Sequence, residues 1–183
     1  MTIIESIRGE YERYQKLAES AMAQVEEAQL SAAPSAESNS IAMICWHVSG
    51  NLKSRFKDFL TTDGEKPWRN REEEFDARTV SRAELLAKWE DGWTALFAAL
   101  DELSDESLTK QVTIRGQSVS VMEALHRSLA HTSYHVGQIV YLAKEGAGAG
   151  WTSLSIPKGQ SAAFNQNPTG QKPGEHVARL GHK

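Results

Sequence analysis

His131 and His135, in the run Leu129-Ala-His-Thr-Ser-Tyr-His-Val-Gly-Gln-Ile-Val140, stand four residues apart in a stretch of helical periodicity. Four helical residues turn the chain by about 400°, so both imidazoles leave the same side of the helix, about 6 Å apart. Imidazole nitrogen is a good donor to zinc, nickel and related divalent ions, and a His-x-x-x-His pair offers two ligands from one rigid element. A third ligand has to come from another element. His47, in Ile44-Cys-Trp-His-Val-Ser-Gly-Asn51, lies on a separate predicted helix and is the candidate. Taken alone, such a pair is more often an ordinary pair of helix-surface histidines than a metal site. Gly137 and Gln138 directly after it argue for a site, because a purely structural helix more often carries Leu or Ala there. His126 sits about 140° and about 180° round the helix from His131 and His135, so it is assigned a structural role.

Four long helical patterns must position these residues. The first opens with the capping box Thr2-Ile-Ile-Glu5, places Ile4, Ile7, Tyr11, Tyr14, Leu17, Ala21, Val25 and Ala28 on one face, and is expected to end near Leu30. The second takes Ser40 as N-cap and buries Ile41, Ile44, Val48, Leu52, Phe56 and Phe59. Beside that apolar stripe runs a polar one of His47, Asn51, Arg55 and Asp58. Residues 61–80 form a long connection with Asp63-Gly64 and Pro67 as turn signals, a length that points to function or to a crossover. The capping box Ser81-Arg-Ala-Glu84 opens a third helix that packs Leu85, Leu86, Trp89, Trp93, Leu96, Phe97 and Leu100 as core. A short extended segment around Arg115-Gly116 precedes the last helix, which opens with Ser120-Val-Met-Glu123 and ends in Gly146-Ala-Gly-Ala-Gly150. The expected fold is all-α: a four-helix bundle with long crossover connections over residues 1–165, then a polar, flexible tail over 166–183 whose His176 and His182 are not ligands.

At 183 residues the chain can build one domain with a sizeable core. A net charge of −4, with basic residues interleaved among acids, gives no footprint for nucleic acid. The single cysteine, Cys45, makes no internal disulfide and reads as a small buried residue, consistent with a cytoplasmic location. The first residues carry charges too early for a signal peptide, and no run of about eighteen apolar residues exists to span a membrane.

His47, with His131-x-x-x-His135 followed by Gly137-Gln138-Ile139, resembles the three-histidine pattern of the DinB/YfiT-like metal-binding four-helix-bundle superfamily. The stretches 50–69 and 153–160 are similar to an uncharacterised branch of it, a domain of unknown function, and the likeness covers roughly residues 1–165. The resemblance implies a bound divalent metal, commonly zinc or nickel, a homodimer, and a low-molecular-weight thiol as co-substrate, as in bacillithiol and mycothiol transferases. Three neutral imidazoles would leave the ion an open position, where a water or thiol loses its proton near neutral pH. Metal-activated thiol transfer to a small electrophile and metal-dependent hydrolysis both follow, as does a non-enzymatic, stress-associated metal-binding module. Substrate contacts are assigned to Asn51, Arg55 and Asp58 on the His47 side of the second helix and to Arg69 and Arg71 on the long connection, the arginines as partners for a carboxylate or phosphate. No Asp or Glu is spaced as an evident fourth ligand or general base.

Overall fold

The computed structural model describes residues 1–181 and is mostly helical, with one two-stranded sheet among them. In chain order the elements are α1 (Ile3–Met22), α2 (Glu27–Ser31), α3 (Ile41–Phe56), α4 (Arg82–Asp101), β1 (Gln111–Ile114), β2 (Gln117–Ser120), α5 (Val121–Ala147), α6 (Ser161–Gln166) and α7 (Pro173–Gly181). Each expected capping box is formed: Thr2, Ser81 and Ser120 accept the backbone N–H three residues on, while Glu5, Glu84 and Glu123 reach back. Helix α3 packs on α4 and α5, and α1 packs on α5 and α4, which closes a four-helix bundle. The connections that cross it are α1 to α3, through α2, and α4 to α5, through the hairpin. Residues 57–81 join the neighbours α3 and α4, so that long segment is not a crossover. No helix among the described residues is long and apolar enough to cross a membrane.

The core follows the helical rhythm. Tyr11, Ile44, Leu52, Leu85, Trp89, Trp93, Leu96 and Leu125 are all sealed from solvent. Gly92 is dictated by helix packing: a Cβ there would lie 2.5 Å from the Ser49 Cα, so α3 and α4 touch backbone to backbone. The turn between β1 and β2 has positive φ at Arg115 (53°) and Gly116 (72°), the sense a two-residue hairpin turn requires.

Three expectations are corrected. The first helix breaks after Met22 instead of running to Leu30, and Ala28 is exposed; the guanidinium of Arg82 donates to the carbonyls of Met22 and Val25 at 2.7 and 2.5 Å, satisfying groups the break sets free. Helix α3 ends at Phe56, and Asp58 turns left-handed (φ 51°) with its carbonyl accepting from the N–H groups of Thr61 and Thr62, so Asp58 leaves the polar stripe. The segment expected to be a flexible tail forms α7, which lies on α1, with Leu180 and His176 only 4 % and 9 % exposed. His176, Val177 and Leu180 share one face of a short helix, a signal too brief to stand out among the surrounding Gly, Pro and Lys. His182 lies outside the described residues.

Candidate metal centre

The fold brings His47 of α3 against His131 and His135 of α5. Nε2 of His131 lies 3.2 Å from Nε2 of His47 and 3.2 Å from Nε2 of His135. The donor nitrogens of the three rings all fall within 4.8 Å of one another. Tetrahedral zinc with nitrogen ligands at about 2.0–2.1 Å holds neighbouring nitrogens about 3.3–3.4 Å apart, so the two contacts of His131 already have close to the required spacing.

The protons make the case stronger than the spacing. His47 Nδ1 is 2.9 Å from a carboxylate oxygen of Glu74, which can only accept, so Nδ1 carries a proton, and the tautomer that this fixes for metal binding has its lone pair on Nε2. His135 Nδ1 donates in the same way to the Gln138 side-chain oxygen at 2.8 Å, which again leaves Nε2 bare. Between these two lone pairs His131 Nε2 has at most one proton to give. With the rings in these tautomers at least one 3.2 Å contact has no proton between its nitrogens, an arrangement that a cation at the centre relieves. Burial and the neighbouring His135 and His47 push His131 down to about 4; burial also lowers His135 against the opposing bond to Gln138. Both rings are thus neutral at pH 7, the form that binds metal.

Glu74 is the residue that sequence reasoning missed. It sits in a 3-10 turn, Glu72–Phe75, within the long connection, and is 6 % exposed while Glu72 and Glu73 face solvent. Its carboxylate receives a two-pronged bond from Arg69, Nε to Oε1 at 2.7 Å and Nη2 to Oε2 at 2.8 Å. Burial would raise Glu74, but the bonds from Arg69 and His47 outweigh it and hold the carboxyl below its ordinary value. Gly50 makes room for this carboxylate, since a Cβ at that position would collide with Oε1. Phe75 covers the His47 ring, 4.7 Å between centroids. Nothing in the local run Glu72-Glu73-Glu74 sets the third acid apart; only the connection's length signalled function.

The remaining candidates divide. Asn51, Arg55, Arg69 and Arg71 line one cavity with His47 and His131, and Asp58 lies outside it. Arg69 is not free for a substrate: its side chain is 2 % exposed and committed to Glu74. The same cavity takes in Arg115 and Arg127, which the sequence did not single out. Gly137, read as part of the pattern, has nothing within 4 Å of a notional Cβ, whereas Gln138 fixes a ring. His126 is exposed and outside the cluster, so the structural role assigned to it is withdrawn. No curated protein and no solved structure matches the chain. Residues 1–160 of the 183 match a family described as a protein of unknown function, and the chain belongs to that family, DUF1572.

Proposed function

We propose that the chain binds a divalent metal, zinc or nickel, through His47, His131 and His135, and that it is a metal-dependent enzyme acting on a small molecule. The observation that carries this reading is the convergence of three Nε2 atoms, that of His131 lying 3.2 Å from each of the other two, with Glu74 and Gln138 holding the outer nitrogens of His47 and His135. The likeness of the histidine pattern to the DinB/YfiT-like superfamily supports it. A divalent ion held there would acidify a water or thiol beside it.

Of the two chemistries, transfer from a low-molecular-weight thiol is favoured by what lines the cavity. Hydrolysis is helped by a group that returns a proton to the leaving atom, yet among the described residues no Asp, Glu or Tyr borders the cavity, and Glu74 is locked behind His47 by Arg69. A thiol needs only to lose its proton. Cys45 does not supply that thiol, because it is fully buried and burial pushes its pKa up. The thiol therefore comes from solution, and the chain's own groups bind and orient: Glu74 and Gln138 hold the imidazoles, and Asn51 offers an amide one turn beyond His47. Elemental analysis of protein purified without a nickel column should give one ion per chain in the wild type and almost none in His131→Ala. Conversion of a chromogenic electrophile should need metal and thiol together. Full metal in His131→Ala would overturn the site; metal-dependent ester cleavage without thiol would replace transfer by hydrolysis.

A further inference from the structure

The chain is acidic overall, yet five of its ten arginines, Arg55, Arg69, Arg71, Arg115 and Arg127, line the cavity that opens beside His47 and His131. Among the described residues, no carboxylate lines it. The acids nearby are spoken for. Glu74 holds Arg69. Glu72 pairs with Arg71 at 3.4 Å on the exposed rim. Glu65 alone serves two guanidiniums, Arg115 at 2.7 Å and Arg55 at 3.8 Å, the second beyond hydrogen-bond reach. Asp63 accepts the backbone N–H groups of Glu65, Arg115 and Gly116 at 2.7–2.8 Å, which clamps the long connection to the hairpin turn and fixes where Arg115 stands.

Two guanidiniums in this cavity have unfilled hydrogen-bonding capacity. Arg55 Nη1 is buried with no hydrogen bond, although its side chain is only 12 % exposed. Arg127 makes no hydrogen bond or ion pair among the described residues. A buried guanidinium nitrogen without an acceptor is costly, and native structures supply one. Burial lowers the Arg55 pKa, Glu65 opposes that, and the charges of Arg115, Arg69 and Arg127 add to the lowering: positive charge is crowded here beyond what local acids offset. We propose, building on the metal reading above, that this is an anion subsite, and that the substrate carries a carboxylate or phosphate group held by Arg55, Arg115 and Arg127.

The layout suits one small molecule reaching both places. Arg127 is one turn before His131 on α5, about 6 Å along the axis, and Arg55 is two turns beyond His47 on α3, about 12 Å. The cavity, about 180 Å³, has more than ten times the roughly 15 Å³ that a single water requires. An anionic group among the arginines would therefore leave the rest of a compact molecule facing the histidines.

Inorganic phosphate and malonate distinguish a tetrahedral from a planar anion. Each is titrated calorimetrically into zinc-loaded and metal-free full-length protein. At least one should bind saturably to the metal-free form, which separates the arginines from the ion. Arg127→Gln and Arg55→Gln should each weaken it about tenfold, the loss of one charge-assisted bond, while Arg179→Gln on α7 leaves it unchanged. Arg127 is exposed, so its variant tests the proposal even if Arg55→Gln fails to fold. Tighter phosphate points to a phosphorylated substrate and tighter malonate to a dicarboxylate. Absence of binding by both anions, or wild-type binding by Arg127→Gln, overturns the subsite. Metal content measured on the same samples keeps the two readings apart: protein that takes up no zinc when zinc is supplied, yet still binds phosphate or malonate, would sink the metal centre and spare the arginine site.

Discussion

Around Trp93 and around His47 the bundle is closed to water in two different ways. Trp93 is fully buried where α4 meets α1; its ring lies 6.2 Å from Tyr11 edge-on, 5.3 Å from Trp89 and 5.9 Å from Phe97, centroid to centroid. The polar atoms there receive little attention: Tyr11 donates to the Leu125 carbonyl, while the Trp93 Nε1 group has no hydrogen-bond partner. Around His47, 5 % exposed, the order is reversed. Ring, carboxylate and guanidinium form one bonded chain, His47 to Glu74 to Arg69 to Ser54. Burying charge seldom adds stability over an apolar core of equal volume. The Trp93 region therefore keeps the bundle folded, and the His47 region spends some of that stability on holding three imidazoles in one tautomer and one place.

The largest effect should come from Trp93→Ala. Removing an indole from a sealed core costs about 3–5 kcal/mol. Urea denaturation should show that loss, while the folded fraction still binds one equivalent of metal. Loss of metal stoichiometry without loss of stability would reverse the roles of the two regions.

Glu74→Gln should rank second. The change keeps the side-chain volume but strands the buried Arg69 charge and lets the His47 ring turn, so we expect about 2–4 kcal/mol of destabilisation and a 10- to 100-fold fall in metal affinity, roughly what outer-sphere partners of ligating histidines contribute. A competition titration with a chromogenic chelator reads the affinity. Unchanged affinity would mean that Glu74 is a structural ion-pair partner only.

The two regions also differ in how far the sequence disclosed them. The Trp93 region was legible because its information is periodic: Leu85, Trp89, Trp93, Leu96 and Leu100 repeat at helical spacing behind a capping box, and local chemistry decides both. His131 and His135 were legible for the same reason, being one turn apart on one helix. His47 needed a second helix and was reached by residue type. Glu74, Arg115 and Arg127 depend on where a long connection and a hairpin land, which no short window encodes; Glu74 has two identical neighbours that point to solvent. Asp58 shows the reverse failure: a correct stripe was extended past the true helix end, where a left-handed residue redirects it. α7 was hidden because nine residues with one apolar face cannot be told from a polar tail until α1 is there to receive them.

Acid should separate the regions next, with a smaller effect. His131 has a folded pKa of about 4 against about 6.5 when unfolded, because burial and its two histidine neighbours disfavour the charged ring. Between those values the unfolded chain binds more protons, so stability is full above about pH 6.5 and falls as the pH drops toward about 4. Partial exposure reduces the contribution to about 1–2 kcal/mol. Urea midpoints of the metal-free protein at pH 7.5 and 4.5 should show that drop, and His131→Leu should lessen it. A drop of equal size in His131→Leu would place the acid sensitivity elsewhere.

His126→Ala should do least, and its silence carries information. His126 lies on the same helix as His131, is of the same residue type, and differs only in angle: it faces solvent. Exposed substitutions away from caps and networks change stability by about 0.5 kcal/mol or less, and one outside the cluster has no route to the metal. Metal content and urea midpoint should both match the wild type, against near-complete metal loss in His131→Ala. Reduced metal in His126→Ala would mean that α5 is rotated or unwound near its middle, and the lone-pair argument at His131 would lose its geometric basis.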